Sequence, residues 1–416
     1  MTGSEAVGGG PPVPGSDTTT DRPVLALLTS DWDAAGEAGW FARQVAGALA
    51  TVADVHVVTP GEGTASITTD SVFDVHRLDT GSGGIPDRRR DLLLDALIET
   101  GHDPTAAAPA DVADLLDRIL AEPWANAPAT LSAIAPDQVV LVDHRNIGAL
   151  GALDRFGGGL PYTVVALDGG SSRHGSRYFD PVVDRAQAVL AVTEDERQRI
   201  VGRHGRSDSI HRVGTPLAAN PSVLTEPNPW MGDTGYLLVI TDSASGDDDE
   251  QTELARLLRV RFSDRPVGIV HRDGFHAWHE GRLETGWPIE RSSDLARLMA
   301  WARVTVDLRT LPLFGRDCLT SLLFGTPIVV PARSPASEHA RRGGGLWFDS
   351  AADLTWCVDS LTDPTTAAAF GAQGRAYAEE GYGSTDRFID RVVTACGLSP
   401  GSAARIPSEV PVTVSA

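Results

Sequence analysis

The sequence predicts an α/β protein built from two successive parallel-sheet halves. Three observations carry this. Short apolar runs bounded by turn residues alternate with segments of helical period, the pattern of strands buried on both faces between covering helices. The alternation stops at a proline-rich stretch, Pro216–Gly235, which holds four prolines and little periodicity and reads as a linker. A second strand–helix series then begins.

The elements follow in order. "PVLALLTS" (Pro23–Ser30) is a buried-strand run, "WFARQVAGALATVA" (Trp40–Ala53) has helical period, and "DVHVVTP" is the next strand, giving a βαβ opening. Further strands are expected at Gln138–Val142, Tyr162–Ala166 and Val189–Val192, with helices in "PADVADLLDRILAEPW" and "DERQRIVGRHG". After the linker come "YLLVITD", the helix "DEQTELARLLRVRF", "PVGIVHR", the helix "SSDLARLMAWA", "RVTVDLR", the helix "CLTSLLFG" and "TPIVVPA". This divides the chain into a disordered tail (1–22), a first Rossmann-like domain (23–215), the linker (216–235), a second Rossmann-like domain (236–397) and a second disordered tail (398–416). The tails are expected to be disordered because Gly, Pro, Ser and Thr dominate them. Two such halves leave a cleft at the C-terminal ends of their strands, where sheets of this kind bind ligands.

Composition narrows the function. The 416 residues carry 56 acids against 35 bases, a net charge of −21, which disfavours nucleic acid and anionic lipid as partners. The chain has no lysine, so a Walker-A lysine, a Schiff-base lysine and a lysine phosphate clamp are excluded. No apolar run reaches the ~18 residues of a membrane span, and the N-terminus lacks the pattern of a signal peptide. Cys318, Cys357 and Cys396 are odd in number and far apart, giving no disulfide or metal framework; a cytoplasmic location is the expectation.

Several segments, taken together, resemble the GT-B glycosyltransferases, in particular the retaining group called family 4. They are "PDQVVLVDHRNIGALGALDRFGGGLPYTVVALDGG", "DRAQAVLAVTEDERQRIV", "IHRVGTPLAANP", "SSDLARLMAWARVTVDLRTLPLFGRDCLTSLLFGTPIVVPARSPASEH", "GLWFDSAADL" and "GAQGRAYAEEGYG". The resemblance spans residues 23–397 and implies a GT-B architecture, two Rossmann-like domains facing a cleft, with acceptor on the first domain and nucleotide-sugar on the second. Such enzymes as a rule need no bound metal or other cofactor. Two departures stand out. Where the family has a pair of glutamates flanking the Phe-Gly turn, this chain has Pro312 and Thr320. Where the family has Arg and Lys clamping the donor diphosphate, the segment "LLVITDSASGDDDEQ" carries Asp242, Asp247, Asp248, Asp249 and Glu250. Those acids also read simply as a helix start suited to the macrodipole.

The resemblance assigns candidate residues. His144, at the end of a strand, and Arg316, in the first turn of a helix where a cation is misplaced unless it answers an anion, are the catalytic candidates. Phe314, Gly315, Asp317, Thr320, Ser321 and Glu338 belong to the donor block, and Arg272 and Arg309 are candidate substitutes for the missing bases. On the acceptor side stand Asp31, Gly36 and Gly39 in a loop able to hold an anion at a helix N-terminus, and Asp168, Arg173, His174 and Arg177 in a basic loop. Each has a plainer reading as a turn, a surface loop or a salt bridge. The implied function is transfer of a hexosyl group from a nucleotide-sugar to an unknown acceptor. The alternative is a catalytically silent homologue that binds a sugar, a nucleotide or a protein partner. A phosphorylase-like or epimerase-like enzyme is disfavoured by the missing lysines and by the absence of Gly-x-Gly-x-x-Gly after a strand.

Overall fold

The computed structural model describes residues 22–30, 32–33, 36–61, 65–69, 72–79, 122–142, 147–156, 159–167, 179–217, 235–243, 249–271, 274–280, 282–287, 292–310 and 314–399. Nearly all of both expected tails, most of the linker and most of the helix expected at 109–124 lie outside these residues.

The first half runs β1 (Val24–Leu28), α1 (Glu37–Leu49), β2 (Asp54–Gly61), β3 (Ser66–Thr69), β4 (Asp74–Asp79), α2 (Ala127–Ile134), β5 (Gln138–Val142), α3 (Ile147–Phe156), β6 (Tyr162–Ala166), α4 (Phe179–Arg185), β7 (Ala188–Ala191), α5 (Glu194–His204) and β8 (Ile210–Arg212). Its sheet has the order β3-β4-β2-β1-β5-β6-β7-β8, parallel except for the β3–β4 pair. Period-two alternation sorts the side chains into two cores. Leu25, Leu27, Val140 and Val142 face α1, while Ala26, Leu28, Val139 and Leu141 face α2 and α3. Burial on both faces is why these strands are unbroken apolar runs in the sequence.

The second half runs β9 (Tyr236–Ile240), α6 (Glu250–Arg261), β10 (Val267–His271), β11 (Gly274–His279), β12 (Arg282–Trp287), α7 (Ser292–Trp301), β13 (Ala302–Asp307), α8 (Arg316–Leu323), β14 (Ile328–Pro331), α9 (Ser337–Gly343), β15 (Gly345–Phe348), α10 (Ala351–Thr362), α11 (Pro364–Gly381) and α12 (Thr385–Ala395). Its sheet order is β12-β11-β10-β9-β13-β14-β15, with the β10–β11–β12 hairpins antiparallel and the rest parallel. Strand order reverses between β1 and β5 in one sheet and between β9 and β13 in the other, the switch points where open α/β sheets bind ligands.

One grouping departs from the sequence expectation. Residues up to 397 were assigned to the second half, yet α12 packs on the first: Phe388, Val392, Ala395 and Cys396 join the core of Leu25, Phe41 and Val45 beside α1. The apolar face of this helix is buried against α1 and the first sheet, so the chain crosses back. Among the described residues, no helix is long and apolar enough to cross a membrane.

Candidate functional site

The two halves meet where the β13–α8 turn approaches α1. Gly315 is the N-cap of α8, with φ of +70°, in the left-handed region that favours glycine. A Cβ there would lie 2.8 Å from the Ala336 Cβ and 3.2 Å from His339 Cδ2, so the close approach to α9 also requires glycine. With no side chain of its own, this cap leaves the α8 N-terminal amides to be satisfied from elsewhere.

Glu37, in the first turn of α1, supplies the partner. The N–H of Arg316 donates to Glu37 Oε1 at 2.9 Å and the N–H of Phe314 donates to Oε2 at 3.3 Å. A carboxylate of the first half thus caps a helix of the second. Burial lifts the pKa of Glu37 above the ordinary carboxylate value and the charge of Asp317 pushes the same way, against Arg309 and the two amides. The Phe314 side chain crosses the same boundary and enters the first core, its ring centroid 5.5 Å from Phe41 and 6.2 Å from Trp40. The Arg316 guanidinium lies over the Trp40 ring at 4.4 Å, a cation–π contact.

Behind the turn sits a compact charge cluster. Arg309 makes a two-pronged pair with Asp307, at 2.8 and 2.7 Å, and reaches Asp317 at 2.9 Å. Asp307 is 1 % exposed and its Oδ2 also accepts from Cys318 Sγ. The two acids hold the guanidinium charged despite its burial, and burial pushes the Cys318 thiol up. Arg309 thus commits its Nε and Nη2 groups to these two acids.

A second carboxylate mirrors the first. Glu338 of α9, 2 % exposed, accepts from the N–H groups of Glu194 (3.1 Å) and Asp195 (2.9 Å) at the start of α5 in the other half. The third amide, of Glu196, goes to the Thr193 hydroxyl, and Glu196 itself caps the N–H of Val192. His339, also buried, bonds the Phe314 carbonyl at 2.6 Å through Nε2 and Tyr377 Oη at 3.0 Å through Nδ1. A carbonyl only accepts, so Nε2 carries the proton. Burial pushes the pKa of this imidazole below its ordinary value.

The structure brings together Gly315, Arg316, Asp317, Arg309, Phe314 and Glu338 along the inter-domain boundary. It withdraws others from a ligand. The Ser321 hydroxyl is fully buried between Thr305 and the Thr326 carbonyl, and Thr320 donates to the Arg316 carbonyl of its own helix. Phe314 is a hydrophobic bridge between halves, and Glu338 a cap, where the sequence had suggested donor contacts. Gly36 is the N-cap of α1 and Gly39 is buried inside it. In the acidic segment, Asp249 is the N-cap of α6, accepting from Thr252 N and Ser243 Oγ, the plainer of the two readings. His144, Asp31, Asp168, Arg173, His174, Arg177, Arg272, Pro312, Asp247 and Asp248 lie outside the described residues. Glu37 is the residue that the sequence did not single out. An acid in a first helical turn serves the macrodipole of its own helix in any sequence, and nothing local distinguishes one that serves a partner.

No family model matches the chain, and no curated protein matches it in sequence. Solved structures match over nearly its whole length. Sucrose-phosphate synthase from Thermosynechococcus elongatus is 16 % identical, with a TM-score of 0.60 over 89 % of this chain and 97 % of that one. The α,α-trehalose 6-phosphate synthase of Burkholderia multivorans is 12 % identical, with a TM-score of 0.60 over 91 % and 98 %. The Anabaena protein HepE, in complex with UDP-glucose, is 14 % identical, with a TM-score of 0.57 over 90 % and 99 %. The fold is GT-B: two Rossmann-like sheets whose switch points face a common cleft.

Proposed function

We propose that the protein transfers a glycosyl group, expected to be a hexosyl group with retention, from a nucleotide-sugar to an acceptor still to be identified. One observation carries this beyond the fold. The α8 N-terminus presents two amides to an anion at the inter-domain boundary, and Glu37 holds them. A helix N-terminus is a ready anion seat, and a donor diphosphate would take these amides as Glu37 withdraws. Stabilising the leaving diphosphate there is the main electrostatic task of such a transfer. UDP-glucose bound to HepE supports a nucleotide-sugar as the donor class. Arg316 remains the basic residue at the seat, its guanidinium over Trp40. No metal and no further cofactor enter this reading, and the cytoplasm is the proposed location.

A second reading has its own support. Arg309 is neutralised by Asp307 and Asp317, and the amides are already occupied, so a silent homologue that holds its halves closed also fits. The readings part in one experiment: calorimetric titration with a panel of nucleoside diphosphates and nucleotide-hexoses, with and without Mg²⁺, followed by assay of diphosphate release from whichever sugar binds. Micromolar binding of one nucleotide-sugar and slow release of its nucleotide are expected. No heat from any member overturns the transferase reading.

A further inference from the structure

At the edge of the first sheet, β2 and β4 bring two imidazoles together. His56 stands directly across from Asp74, and Val58 from His76, so His56, Asp74 and His76 share one face of the strand pair. Thr69 and Ile67 of β3 extend that face, opposite Asp74 and His76. Further along the same face, Val58 and Leu78 enter the core under α2 and α3. At the histidines that core has run out: both side chains are half-buried, and Ile67 beside them is 66 % exposed. The pair lies in the N-terminal half of each strand, away from the C-terminal ends where such sheets bind ligands. It is therefore separate from the α8 seat.

The geometry of the pair is that of a chelate. His56 Nδ1 and His76 Nε2 face each other at 3.1 Å. A metal ion at the usual ~2.0–2.1 Å from each nitrogen would see them about 100° apart, between the octahedral and tetrahedral angles. Asp74 adds a carboxylate, its Oδ2 3.8 Å from His56 Nδ1. The other oxygen, Oδ1, accepts from the Thr69 hydroxyl at 2.8 Å, an outer partner of the kind that orients a ligating carboxylate. Among the described residues, no three His, Cys, Asp or Glu side chains already surround one metal position. The two imidazoles are thus the ligands in place, and Asp74 joins them only by a small swing. Without a metal the facing nitrogens share one proton in a single hydrogen bond. Imidazole nitrogen suits zinc, nickel and copper, whereas magnesium and calcium take oxygen.

We propose that His56 and His76 chelate a divalent transition-metal ion of the zinc, nickel and copper class, with Asp74 closing as a third ligand and water filling the rest of the shell. The proton held between the rings moves to the outer nitrogen of its own ring, which leaves both facing lone pairs to the metal. Bridging β2 and β4, the ion ties the edge of the first sheet and stabilises the folded chain by mass action. It takes no part in glycosyl transfer, and the site stands whether or not the α8 seat takes a nucleotide-sugar.

The test is calorimetric titration of zinc and nickel ions into the full, tag-free chain after treatment with a chelator. Micromolar binding of both ions is expected, and zinc should raise the melting temperature. His56→Gln and His76→Gln each remove a ligand and should weaken zinc by about tenfold or more, the scale set by loss of even an outer partner. His211→Gln, on β8 at the far edge of the same sheet, is the control and should bind zinc as the parent does. Footprinting of the parent with diethyl pyrocarbonate needs no variant: zinc should protect His56 and His76 from modification. Absence of binding by both ions overturns the proposal. So does a zinc affinity unchanged in either histidine variant, or equal modification of the pair with and without zinc; where a variant melts early without metal, the footprint decides.

Discussion

Glu37 and Glu338 occupy reciprocal positions across the domain boundary: each carboxylate caps the N-terminus of a helix in the other half. A carboxylate accepting two backbone N–H groups satisfies orphan donors and answers the positive end of the macrodipole. Two such contacts, one in each direction, link the halves beside the apolar contacts of Phe314 and α12 with the first core. Removing Glu338 leaves two amides unpaired at a buried site. Glu338→Ala is expected to lower stability by about 1–3 kcal/mol, and Glu338→Gln by less, since an amide oxygen still accepts. Urea denaturation of the two variants checks the order.

Arg309 is buried in ion pairs with Asp307 and Asp317. Cutting one partner from a buried pair is costlier than removing the pair, because the remaining charge has no water to stabilise it. Arg309→Met should therefore cost about 3–5 kcal/mol, and the further change Asp307→Asn should recover part of that loss. A double variant less stable than Arg309→Met would contradict the buried pairing as the source of that cost.

Gly315 combines a positive φ with a contact that no Cβ fits. Gly315→Ala is expected to destabilise by roughly 1–3 kcal/mol through backbone strain and the clash with Ala336. Gly36→Ala, whose Cβ would meet nothing within 4 Å, is the matched control and should change the melting temperature little.

His339 gives the boundary a pH dependence. Its folded-state pKa lies below the ordinary value of 6.5, chiefly from burial, so the unfolded chain takes up the proton first. Its contribution is thus complete above pH 6.5 and is lost as the pH falls towards and through the lowered folded value. Urea midpoints at pH 7.5 and 5.5 should differ more for the parent than for His339→Gln; equal differences would remove His339 as the cause.

Much of the fold was legible because burial on both faces turns a strand into an unbroken apolar run. The expected spans Gln138–Val142 and Tyr162–Ala166 coincide with β5 and β6. The β11–β12 hairpin was missed: "GFHAWHEGRLETGW" mixes His, Arg and Glu with its aromatics, which hides the alternation, and its turn places Glu280 at a φ of +48°. The placement of α12 was illegible for a different reason, since an amphipathic helix states that it has a partner but not which one. At the site, Gly315 was readable from its turn. The roles of Ser321, Glu338 and above all Glu37 depend on contacts between residues far apart in sequence, which no local pattern encodes.

The most direct measurement is titration of UDP into the parent and into Glu37→Ala. If a donor diphosphate takes the α8 amides that Glu37 now holds, the variant binds UDP more tightly, by about tenfold for each 1.4 kcal/mol the competing cap supplied. UDP binding that is equal in both proteins, or absent from both, would contradict the assignment of that seat to the donor.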